Sequence, residues 1–152
     1  MSLIEARRAF GDLPVAHLAT TLPDGSPHVV PLWFVWRGEA IYVSCRRDSA
    51  TWRNVERDRR VALSFDLGLS WQELRGAVIH GRAEPLAPDH PSLREVLSAW
   101  YTKYRRLLGG GGFRDYAERV EDPGMFRVRP ERMTAWNHAA RSLGRLANPL
   151  TF

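Results

Sequence analysis

Two strand-like runs joined by Leu22-Pro23-Asp24-Gly25 constrain the fold of this chain more than any other feature. The first is Pro14-Val15-Ala16-His17-Leu18-Ala19-Thr20-Thr21 and the second Pro27-His28-Val29-Val30-Pro31-Leu32-Trp33-Phe34-Val35-Trp36. Pro23 presets φ, Asp24 bonds locally and Gly25 takes φ > 0, so the runs are expected to form an antiparallel hairpin. In the second arm His28, Val30, Leu32, Phe34 and Trp36 share one face, and Val29, Pro31, Trp33 and Val35 the other. Apolar residues on both faces predict a strand covered on both sides, by a barrel interior on one and by a helix, a partner subunit or a flat ligand on the other. Pro31 removes a ladder donor, which points to an edge strand or to a bulge in an ordinary core strand.

The rest of the chain supplies strands with short helices between them. Ser2 and Glu5 have the spacing of a capping box for a helix through Phe10, ending near Gly11. Ala40 to Cys45 reads as a third strand beside the second, giving a meander. A short helix follows from Ala50 to Asp58, with Asp48 or Ser49 as its cap. Arg60 to Asp66 and Gly76 to Leu86 are the fourth and fifth strands, Gly81 marking a bulge, and the loop between them carries Trp71 as a core plug or a lid. From Pro88 a helix places Leu93, Val96, Leu97, Trp100, Tyr104 and Leu107 on one stripe and Lys103, Arg105 and Arg106 on other faces. Gly109 to Gly112 reads as a hinge, since no Lys-Ser or Lys-Thr follows as a phosphate loop requires. A weak helix from Phe113 to Val120 precedes strands at Met125 to Arg129 and Arg132 to Asn137. The expectation is a mainly β domain with helical additions over residues 1–137, a six- or seven-stranded antiparallel barrel, and an irregular tail at 138–152.

At 152 residues one hydrophobic core is expected. Cys45 is the single cysteine, which rules out an internal disulfide and a cysteine zinc site within one chain. Lys and Arg number 22 against 17 Asp and Glu, a net charge of +5 scattered among acidic residues without an aromatic-basic motif, so no specific nucleic-acid partner is expected. No apolar run approaches the roughly 18 residues that span a bilayer and no secretory signal opens the chain, so a cytoplasmic protein with no membrane partner is expected. Arg46, Arg47 and Arg53 around the start of the second helix, with its unpaired N–H groups, make the best anion site; their alternative is solvation or pairing with Asp48, Glu56 and Asp58. There is neither a nucleophilic triad nor a catalytic carboxylate pair. His17, His28, His80 and His138 are candidates for proton relay or ordinary hydrogen-bonded strand residues.

His17-Leu18-Ala19-Thr20, Pro23-Asp24-Gly25, Pro27 to Phe34 and Arg53-Asn54 ahead of Arg60-Val61-Ala62-Leu63 together resemble the flavin-binding split barrels related to pyridoxamine 5′-phosphate oxidase. Gly81-Arg82-Ala83, Arg129-Pro130-Glu131-Arg132 and Trp136 extend the resemblance from about Ile4 to Trp136. It implies a split β-barrel homodimer that binds flavin mononucleotide (FMN) or the deazaflavin coenzyme F-420 at the subunit interface and passes a hydride to or from a small organic substrate. In that frame Val30, Pro31, Leu32 and Trp33 offer an apolar slot, Ser44 a strand edge, Arg46, Arg47, Thr51, Arg53 and Asn54 the phosphate end, and Trp71 a cover. Flavin-binding relatives often carry lysine at the helix start where this chain has Ala50-Thr51, which leaves the phosphate to the arginines and keeps the deazaflavin open. A non-catalytic flavin or haem carrier or sensor is the alternative, with a histidine, His28 or His80, as axial ligand.

Overall fold

The structure, a computed structural model, describes residues 1–108 and 123–138. Helix α1 spans Leu3–Phe10, and its start matches expectation: Ser2 Oγ accepts from Glu5 N–H while Glu5 accepts from the Ser2 N–H. Strands β1 (Ala16–Thr21) and β2 (Pro27–Leu32) pair antiparallel around a turn in which Gly25 has φ 85° and Asp24 accepts from Ser26. Strands β3 (Phe34–Arg37), β4 (Ala40–Arg46), β5 (Arg60–Leu67), β6 (Arg75–Pro85) and β7 (Pro123–Asn137) follow, with helices α2 (Ala50–Arg57) and α3 (Leu93–Tyr104) between them.

All seven strands join one sheet in the order β2-β1-β5-β6-β7-β4-β3. The long second run of the sequence is therefore not one strand: it breaks at Trp33 into β2 and β3, which lie at opposite ends of that order. One residue advances the chain by only about 3.3 Å, so the two ends of the sheet must be neighbours. The sheet thus curls shut into a barrel whose seam, between β2 and β3, carries no ladder: a split barrel. The expected meander holds pair by pair, β1 with β2 and β3 with β4, but the chain changes edges between them. Pro31 sits on β2, an edge strand, where its missing N–H costs no ladder bond.

Inward residues of every strand fill the barrel, among them Leu18, Phe34, Val43, Leu63, Ile79 and Phe126. Phe10 of α1 stacks on Phe65 at one end, and Trp52 of α2 stacks on Phe126 toward the other. Outside, α3 seals β3, β4 and the start of β7 through Val96, Trp100 and Tyr104 over Val35, Tyr42 and Met125. Coverage on both faces is thus true of β3; β2 alternates, with Val29 57% exposed. The two late strands are one: β7 runs unbroken because Pro130 falls where the register with β6 shifts, Gly81 facing Pro130 and His80 facing Arg132, so that Glu131 is the extra residue. The expected glycine hinge, the Phe113–Val120 helix and the tail beyond His138 lie outside the described residues.

Candidate functional site

Helix α2 and strand β2 meet at the end of the barrel that carries the β1–β2 turn. Ser49 caps α2, its Oγ accepting from Trp52 N–H at 3.1 Å, and the N–H groups of Ala50 and Thr51 have no intrahelical acceptor. Thr51 Oγ1 lies 3.3 Å from His28 Nε2, tying the first turn of α2 to β2 across 23 positions of sequence. Asn54, 2% exposed, donates to Thr20 Oγ1 at 3.0 Å and accepts from Arg57, whose guanidinium also reaches the Thr21 carbonyl. Asn54 thus acts from behind the surface, fixing α2 to β1. Two neutral side chains bonded in a buried site are worth about 1 kcal/mol as a pair and cost more than that when one is removed.

The arginines are partly committed. Arg46 pairs with Asp48 through two hydrogen bonds of 2.9 and 2.5 Å, which hold the Asp48 carboxyl below the usual carboxylate range. Arg53 donates to the Asp48 carbonyl at 2.6 Å, and the Arg47 guanidinium lies 4.9 Å from the Trp52 ring. All three surround the start of α2, as the sequence suggests. Cys45 accepts from Ser49 Oγ at 3.6 Å, and burial pushes its thiol up to about 11, so it is not a nucleophile near neutral pH.

Val30 and Leu32 point inward from β2, half-buried beside its free edge, while Pro31 points outward. Ser44 N–H donates to the Trp33 carbonyl at 3.3 Å, bridging β4 to the crossing between β2 and β3. The Trp33 ring itself is held against α3, stacked on Tyr104 at 4.3 Å and 3°. Trp71 is neither a core plug nor beside α2: it is 67% exposed, against His138, in the loop after β5, while α2 precedes β5. Eight residues of strand, about 26 Å, separate those ends.

The histidines do not assemble. His28 faces α2, His17 lies 4.0 Å from Asp66 on the outer side, His80 faces outward between Ala62 and Arg132, and His138 is under Trp71. Tyr104 is the residue the helical stripe hides: its hydroxyl accepts from Phe34 N–H at 2.8 Å and lies 2.7 Å from the Phe34 carbonyl and 2.9 Å from that of Pro14. It pins the chain where it changes sheet edges. A tyrosine in an apolar stripe is the available signal, since a buried hydroxyl needs a partner.

A curled seven-stranded antiparallel sheet in this strand order has a known counterpart. The family model for pyridoxamine 5′-phosphate oxidase matches residues 3–137. The chain belongs to this family. None of the curated proteins matches it. Among solved structures it is similar to the conserved hypothetical protein Rv2991 from Mycobacterium tuberculosis, with 25% identity, a TM-score of 0.75 and coverage of 100% of this chain and 93% of that one. It shares the fold of HutZ, the haem storage protein from Vibrio cholerae, at 18% identity and TM-score 0.71, covering 88% of this chain and 94% of that one. An F420 reductase matches at 24% identity and TM-score 0.60, covering 84% of this chain and 94% of that one.

Proposed function

We propose that the chain is a redox protein that holds FMN or the deazaflavin coenzyme F-420 in the groove between β2 and α2 and exchanges a hydride with a small organic substrate. The observation that carries this reading is the Thr51–His28 contact, which sets an unpaired strand edge against the first turn of an arginine-flanked helix. The residues fit such a cofactor. Val30 and Leu32 give an apolar wall, the free backbone groups of β2 suit a pyrimidine ring, and the Ala50 and Thr51 N–H groups with Arg47 and Arg53 suit phosphate. The cofactor supplies the hydride chemistry; the chain binds, orients and excludes water.

A second copy of the chain completes the groove in this reading. The outer face of β2, β1, β5 and β6 carries Val29, Pro31, Ala19, Ala62, Ser64 and Val78 together with His17 and His80, and no described helix packs over it. Arg60, Asp66, Arg82 and Arg132 lie at its margins, so the face has a mixed centre of short side chains and two imidazoles within a charged rim. Trp71 enters the groove only as a contribution of that second copy.

Titrating purified protein with each cofactor tests the reading. One of them should quench saturably, with affinity falling about tenfold or more in Arg53→Ala; no binding of either would refute it. The alternative of a haem carrier rests on His28 alone, because His80 points to the opposite face of the sheet, so that reading requires a Soret band lost in His28→Ala and retained in His80→Ala.

A further inference from the structure

A cleft of about 740 Å³ opens between α1, β3 and α3, sharing no residue with the groove described above. Its apolar lining is Ala99 with the edges of Val35 and Trp36 that reach the surface on either side of β3. Its charges are Arg7, Arg37 and Lys103 against Asp12 and Glu95. Arg37 is ion-paired with Glu95, and Arg7 donates to the Gly38 carbonyl at 3.4 Å. Lys103 differs from both. Its Nζ donates to the Phe34 carbonyl at 2.9 Å and lies 3.5 Å from the Phe34 ring centroid, so its stem and head are half-buried. Among the described residues no carboxylate comes within 4.0 Å of it, and Asp12 acts on it only from a distance. Three cations and two carboxylates line the cleft, which leaves one positive charge over, and Lys103, held on the Phe34 carbonyl and ring, is the cation without a close carboxylate.

We propose that this cleft is a second small-molecule site, which takes an organic monocarboxylate with its apolar body on Val35, Trp36 and Ala99 and its carboxylate on Lys103. A partly desolvated ammonium attracts an anion more strongly than a surface lysine does, because less water screens the pair. One surplus charge matches a monoanion and not a phosphate dianion. Burial has already lowered the Lys103 pKa to about 8, and a bound carboxylate reverses that direction. The carbonyl and ring of Phe34 hold Nζ in place, so little side-chain entropy remains to be lost on binding.

The test uses the full chain and three probes, benzoate, hexanoate and benzylamine, followed by two-dimensional NMR of backbone, indole and lysine groups. The two carboxylates should produce saturable shifts at Arg7, Trp36 and Lys103, and benzylamine none. The Lys103 amine should titrate at higher pH when benzoate is bound. Lys103→Met should weaken benzoate about tenfold or more, Lys103→Arg should retain most of the affinity, and Asp12→Asn, an exposed change that leaves the packing of Lys103 alone, should tighten it. Shifts that do not saturate, equal binding of benzylamine, unchanged affinity in Lys103→Met or no tightening in Asp12→Asn would each overturn the proposal. Loss of cofactor binding in the other groove would leave it standing, so the two readings fail separately.

Discussion

Over β3, β4 and the start of β7 the outer side of the sheet carries Val35, Tyr42 and Met125 beneath Trp100 and Tyr104 of α3; over β2, β1, β5 and β6 it carries Val29, Pro31, Ala19, Ala62, Ser64 and Val78 with His17 and His80, beneath no described helix. The difference in size has a physical meaning. A helix resting on a sheet needs large side chains to fill the curved space between them, and α3 meets that need with two aromatic rings. Ala19, Ala62, Ser64 and Val78 are short, and short side chains leave room for another surface to approach; a second sheet packs at about 10 Å. One half of the molecule is covered within the chain; over the other no described element packs, and the proposed second copy would cover it.

The largest expected effect falls on the covered half. Trp100, 1% exposed, should cost about 3–5 kcal/mol on substitution by alanine, read as a lower urea midpoint; a loss below about 1 kcal/mol would show that α3 does not seal this side. Next comes the open half. Ala62→Arg should leave the far-ultraviolet spectrum intact yet weaken self-association about a hundredfold or more, measured by sedimentation, because it puts a long charged side chain into the face that the proposed second copy would cover. A wild-type chain that sediments as a monomer at tens of micromolar would break the comparison outright.

Tyr104→Phe sharpens the covered half further. It removes the hydroxyl that accepts the buried Phe34 N–H, and should cost about 1–3 kcal/mol while keeping the Trp33 stack. The smallest effect is one of pH. Lys103 has a folded value of about 8, below its ordinary 10.5, so between those values the unfolded chain binds more protons and stability rises with pH. Lys103→Met should remove that slope, and an identical slope in the variant would mean that Lys103 titrates as a free side chain.

Much of the scaffold was legible in the residues. Ser2 with Glu5, Asp24 with Gly25 and Ser49 before α2 encode local hydrogen bonds, and local bonds need no knowledge of the rest of the chain. The edge change at Trp33 was not legible. Leu32, Phe34 and Trp36 keep the same inward alternation through the break, so nothing in the pattern marks a change of neighbour; closure of the barrel is a tertiary event. Pro130 suggested two strands because its tolerance rests on the extra Glu131 opposite β6. At the site, the arginines around α2 could be read from spacing, whereas the pairing of Thr51 with His28 spans a turn, two strands and the edge change. Lys103 read as a surface charge because its head, not its place in the helical stripe, decides its burial: Nζ folds back onto Phe34, next to the buried Tyr104.

The central claim is that a flavin-type cofactor occupies the β2–α2 groove of a paired molecule. Parallel fluorescence titrations of the wild-type chain and Ala62→Arg with FMN and with coenzyme F-420 test it most directly. The account predicts saturable binding of one of the two cofactors by the wild type, about one per chain, and loss of that binding when Ala62→Arg separates the copies. Binding of neither cofactor, or equally tight binding by a monomeric Ala62→Arg, would contradict it.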